Sequence, residues 1–152
     1  MALTAPPSKL PWNNRFRMPT DAELLSAFQA PTLGYLKTAR ERFKAGPSVL
    51  EMICWHGTWK WTFAYRSIAL MQCQWAYILP DPAKAQICVP VLEATLADLP
   101  SKKVTKSMRD TIMKAPLIDG TYWVTWDLTS KAVIEEACTL AAARVGEVAA
   151  GR

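Results

Sequence analysis

Residues Trp55 to Tyr65 read Trp-His-Gly-Thr-Trp-Lys-Trp-Thr-Phe-Ala-Tyr, with large rings at odd positions: Trp55, Trp59, Trp61, Phe63 and Tyr65. The even positions carry His56, Thr58, Lys60, Thr62, Ala64 and, one step on, Arg66. Side chains on a strand alternate between faces, so this segment predicts one aromatic face and one polar, cationic face. Two backbone paths fit it: a hairpin turning at Gly57-Thr58, or a single strand bulged at Gly57.

The flanking sequence places this segment in a sheet backed by helices. Thr20-Asp21-Ala22-Glu23 is a capping box that opens a short helix over about 21–29. A second helix starts at Pro31 or Thr32, runs to about Lys44 and stops at Gly46-Pro47. Strands are expected over about 50–56, 59–66, 70–79 and 85–91, in the order of an antiparallel meander. Leu92, Leu96 and Leu99 then mark a helix ended by Pro100, and Val104, Met108 and Ile112 mark another. Asp119-Gly120 turns the chain into a strand over 121–128, and Thr129 or Ser130 caps a terminal helix.

The expected class is α+β, an antiparallel sheet of about four or five strands with helices from both ends packed on it. Residues 1–18, with Pro6, Pro7 and Pro11, read as a flexible arm docked by Trp12 and Phe16, and residues 19–148 as one domain.

Composition bounds the chemistry. The chain has 152 residues, of which 51% are hydrophobic, and a net charge of +5. No apolar run reaches the roughly 18 residues of a membrane helix. The first residues lack the basic and apolar regions of a secretory signal, so a cytoplasmic protein away from membranes is expected. Cys54, Cys73, Cys88 and Cys138 are too widely spaced for a patterned metal or disulfide framework and read as buried thiols. With His56 the only histidine, no metal and no cofactor are expected. Serine-hydrolase, Walker and dinucleotide signatures are missing.

Three segments resemble a family of small bacterial proteins catalogued only as a domain of unknown function. They are Pro19-Thr20-Asp21-Ala22-Glu23-Leu24, Lys60-Trp61 running through to Tyr77-Ile78-Leu79-Pro80, and Asp119-Gly120-Thr121-Tyr122-Trp123-Val124 with Asp127-Leu128-Thr129-Ser130. The resemblance spans roughly residues 18–145. It departs where Lys60 precedes Trp61 directly and where the stretch from Trp61 to Pro80 runs longer. It implies a curved sheet backed by helices and carries no reaction.

Function is read from the rings. They are either plain core or the lining of a pocket built from Trp55, Trp59, Trp61, Phe63, Tyr65, Trp75 and Trp123. The leading expectation is a domain that binds or senses an aromatic, amphipathic or cationic small molecule without catalysis. The alternative is an enzyme using His56 as general acid or base, oriented by Glu51 or Asp127. A third reading is a protein or nucleic-acid module built on two basic groups. These are Lys37, Arg40, Arg42 and Lys44 on the second helix, and Lys102, Lys103, Lys106, Arg109 and Lys114 near the last strand. Nucleic acid is disfavoured because the rings lie on strands and the basic residues on helices.

Overall fold

The computed structural model describes residues 11–45, 48–68, 74–98 and 104–149. The stops assigned to Gly46-Pro47 and Pro100, the charges of Lys102 and Lys103, the thiol of Cys73 and residues 1–10 of the arm lie outside them. Among the described residues an α+β architecture is observed. Helices α1 (Asp21–Leu25) and α2 (Thr32–Lys44) precede strands β1 (Val49–Trp55), β2 (Trp61–Ser67), β3 (Gln74–Leu79) and β4 (Gln86–Leu92). Helices α3 (Glu93–Asp98) and α4 (Lys106–Met113), strands β5 (Leu117–Ile118) and β6 (Thr121–Asp127), and helix α5 (Lys131–Ala149) complete it. Among the described residues no helix is long and apolar enough to cross a membrane.

All strand pairs are antiparallel, in the order β1-β2-β3-β4-β6-β5. The sixth strand, β5, was not expected because two residues are too few to show alternation. It pairs across a two-residue turn in which Asp119 and Gly120 hold φ of 50° and 75°. A turn with both central residues at positive φ matches the twist of paired strands, and Asp-Gly tolerates it.

Gly57 is a turn residue, and the alternation of 55–65 is that of a hairpin. Trp55 pairs with Trp61, and the ladder continues unbroken to Val49 opposite Ser67. Residues 57–59 form a single 3₁₀ turn. The turn is closed by the N–H of His56 donating to the Lys60 carbonyl at 2.8 Å and that of Lys60 to the Gly57 carbonyl at 3.0 Å. Gly57 (φ 54°) and Lys60 (φ 62°) supply the left-handed conformations that reverse the chain.

The helices cover one face of the sheet. Its core includes Phe63, Tyr65, Ile78, Ile87, Val89 and Val124 from the strands, packed on Leu36 of α2, Met108 of α4, and Ile134 and Leu140 of α5. The capping box forms as expected, with the backbone N–H of Glu23 donating to Thr20 Oγ1 and that of Thr20 to Glu23 Oε1. Trp12 packs at the edge of this core, while Phe16 is exposed. The indole N–H of Trp61 donates to the Asn14 carbonyl at 2.8 Å, which fixes residues 12–14 beside the hairpin.

One charged group sits inside this layer. Arg40 of α2 donates from Nε to Glu51 Oε2 at 3.0 Å and from a terminal nitrogen to Oε1 at 2.7 Å. Tyr65 Oη donates to the same carboxylate at 2.6 Å, and Arg40 also reaches Asp21 at 3.2 Å. The guanidinium lies 4.6 Å from the centre of the Phe63 ring. Burial works to raise the Glu51 pKa, but the bonds from Arg40 and Tyr65 outweigh it and hold the carboxyl below its ordinary value. Tyr65 is shifted the other way, first by burial and then by the adjacent Glu51, and remains protonated.

Removing one partner of a buried pair strands the other charge, at a cost of about 3 kcal/mol. Arg40→Met is therefore expected to destabilise the fold by that order in urea denaturation, and the Arg40→Met/Glu51→Leu double variant by less than the single one. A lowered folded pKa means that the contribution of Glu51 is present above its unfolded value of about 4.5 and fades as the pH falls through the folded value. A double-variant loss equal to the sum of the Arg40→Met and Glu51→Leu losses would show that the pair is not coupled.

Candidate functional site

The seven expected pocket residues are divided between the faces of the sheet. Trp55, Trp61, Phe63 and Tyr65 lie on the helix side. Trp59, carried in the hairpin turn, lies on the other side with Trp123. Trp75 joins the helix side by a route that alternation does not predict. In a regular strand it would share a face with Tyr77 and Leu79. The pairing of β2 with β3 shifts, however: Tyr65 opposes Ala76 and Arg66 opposes Gln74, which leaves Trp75 as an extra residue. Such a bulge re-aims a side chain, and Trp75 turns into the helix-side core beside Ala76.

There Trp75 packs on Phe43 at a centroid distance of 5.7 Å and on Tyr65 at 5.8 Å. Phe43 and Trp75 floor a cleft of about 410 Å³ between the C-terminal end of α2, the end of the β1–β2 hairpin and α5, with Tyr65 buried beneath them. Its walls are Val49, Ser67, Cys138, Ala141, Ala142 and Val145, with Arg42 at the mouth. Arg42 is held there by a bidentate ion pair with Glu135 of α5, so the rim has fixed but compensated charge. Burial pushes the Cys138 thiol up, and it is an apolar wall at neutral pH.

One polar atom beside this cleft is unmatched. Trp75 is 3% exposed, and its indole nitrogen has no hydrogen-bond partner. By contrast, Trp126 donates to Glu136 and Trp61 to the Asn14 carbonyl. A buried N–H left without an acceptor costs about 1–3 kcal/mol.

The opposite face carries a second aromatic group. His56 lies 5.3 Å from Tyr77; Trp59 lies 5.5 Å from Tyr77 and 6.1 Å from Trp123. These rings meet edge to face and pack on Ala64, Leu79 and Cys88, filling the space between themselves. Burial, with smaller contributions from the Cys88 and Cys54 thiols, pushes the Tyr77 hydroxyl up to about 12. Burial alone takes the Cys88 thiol to about 12.

Neither carboxylate considered for orienting His56 bonds to it. Glu51 faces the helix side and is bound by Arg40 and Tyr65, and Asp127 accepts from Gln86 at 2.9 Å. The basic group on α2 is also divided: Arg40 is buried, Arg42 pairs with Glu135, Lys44 lies 3.9 Å from Glu51, and only Lys37 is an ordinary solvent-facing charge. Among the described residues no group of three His, Cys, Asp or Glu side chains could hold a metal ion. Lys60 leaves the polar face assigned to it and lies over the rings of Trp12 and Trp55, at 5.9 Å and 5.8 Å.

His56 carries a pH dependence. Burial, and secondarily the charge of Arg66, lower its pKa below the ordinary 6.5. The unfolded chain then takes up a proton first, so stability is expected to fall as pH drops from 6.5 toward the folded value. Melting temperatures across that interval should decline in the parent and flatten in His56→Gln; identical slopes would show that His56 is not the group responsible.

Comparisons with protein-family models, with curated proteins and with solved structures give no match to this chain.

Proposed function

We propose that this domain binds a small amphipathic molecule, with an apolar or aromatic body and one acceptor oxygen, in the cleft between α2, α5 and the β1–β2 hairpin, and does no chemistry on it. The observation that carries this reading is an apolar cleft of about 410 Å³ floored by Phe43 and Trp75, whose indole N–H is buried beside it without an acceptor. That volume lies in the range of sites for small organic ligands, and such sites combine apolar walls with a few placed polar groups. This unmatched donor beside the cleft favours an acceptor-bearing ligand over a cationic one. Ser67 offers a hydroxyl, and Arg42 stands at the mouth where a carboxylate or other anionic end emerges. His56 lies on the far side of the sheet with its aromatic neighbours and has no part in this reading.

The test is titration with medium-chain carboxylates and aromatic acids, read by tryptophan fluorescence and by displacement of an environment-sensitive dye. Saturable binding is expected. Trp75→Phe keeps the ring and removes the donor, and should weaken binding by about 1 kcal/mol, roughly fivefold. Ala142→Trp, at an exposed wall position, should block the cleft while leaving the fold intact. Binding that is absent in the parent, or unchanged in both variants, would overturn the proposal.

A further inference from the structure

The sheet has two edges, and they differ in kind. On one side β5 is only two residues long. On the other, β1 presents seven residues, each partly exposed, in an unbroken ladder with β2. The bonds of His56 with Lys60 and of Ser48 with Ile68 fix the phase of that ladder. Hydrogen-bonded pairs alternate in an antiparallel ladder, so Leu50, Met52 and Cys54 exchange bonds with β2. The backbone groups of Val49, Glu51, Ile53 and Trp55 then point away from the sheet. Among the described residues no hydrogen bond takes up these groups.

Long apolar edges are normally guarded by lysine, proline, a bulge or an inward charge, because an open row of N–H and C=O groups templates another strand. β1 has no lysine, proline or bulge. Its single charge, Glu51, is committed to Arg40 on the helix side.

We infer that β1 is a self-association edge, and that a second copy of this chain pairs with it antiparallel to continue the sheet. The register follows from the parity. Outward-pointing residues must oppose outward-pointing residues across the two-fold axis. Centring the axis on Met52 pairs all seven residues and sets Glu51 opposite Ile53 of the partner subunit. Centring it on Glu51 would oppose two carboxylates, and centring it on Ile53 would run Val49 past the end of the strand. In the Met52 register Leu50 faces Cys54 of the partner subunit on the face away from the helices, and Val49 faces Trp55 of the partner subunit on the helix side. The junction is apolar and leaves Glu51 bound within its own chain. A contact made by one strand edge falls below the area of standard stable interfaces, so association is weak and concentration-dependent.

Sedimentation velocity from micromolar to millimolar concentration is expected to show a monomer–dimer equilibrium. Directly opposed residues of a non-hydrogen-bonded pair lie within disulfide reach. Met52→Cys should therefore form a dimer under mild oxidation, with the link mapped to position 52 by mass spectrometry. Met52→Lys, which puts like charges on the axis, should stay monomeric with an unchanged circular dichroism spectrum. A parent chain monomeric at millimolar concentration overturns the inference, as does a dimer that survives Met52→Lys or a Met52→Cys variant that does not cross-link. It is also overturned if the β1 amides exchange slowly in a monomer and become fast on removal of residues 1–10, which would assign the edge to the chain's own first segment.

Discussion

The carboxylate of Glu51 sets the geometry on which the helix side depends. It accepts from Arg40 on α2 and from Tyr65 on β2 while sitting on β1, and through Arg40 it reaches Asp21 at the start of α1. A one-residue slip of β1 would place Met52 under the guanidinium and turn Glu51 away from it, leaving Arg40 without its main partner. Buried ion pairs add little net stability because desolvation offsets attraction; their effect is to penalise the wrong arrangement. Here the penalty falls on every alternative register of the β1–β2 hairpin. The Phe63 ring beneath Arg40 tightens the same constraint, since the cation sits over a face that only this register supplies.

With the hairpin fixed, the bulge in β3 determines where a cleft can exist. Phe43, Tyr65 and Trp75 pack as a cluster of three rings, and α5 faces the cleft above Phe43 and Trp75 with small residues, Cys138, Ala141, Ala142 and Val145. Large rings against small side chains leave volume at the end of the sheet. Farther along α5, Ile134 and Leu140 close the core completely. The same helix thus seals the sheet with its large side chains and leaves the cleft where its small ones face the rings.

Much of this architecture was legible in the sequence. The capping box at Thr20, the Asp119-Gly120 turn and the four-residue spacing of Val104, Met108 and Ile112 are local signals, and each formed as read. The position of Trp75 was not legible, because periodicity counts residues and a bulge changes the count. Strict alternation along β3 would put Trp75 with Tyr77, and one unpaired residue moves it to the opposite face. Trp59 illustrates the same limit in a turn, where the positive φ of Lys60 breaks the alternation that the surrounding residues display.

The basic run on α2 shows why charge pattern alone misleads. Lys37, Arg40, Arg42 and Lys44 read as one basic group on the second helix, yet their fates differ with what lies opposite. Arg40 projects onto β1 and meets Glu51; Arg42 projects toward α5 and meets Glu135; Lys37 meets solvent. The partners lie 11 and 93 residues away in the chain, so nothing within the helix could reveal them. A long side chain with an apolar stem is compatible with all three environments. The fold selects among them through Glu51, whose inward parity is legible in the strand even though its partner is not. An acidic residue at a core-facing strand position is therefore the feature of such a sequence that most directly announces a buried cation elsewhere.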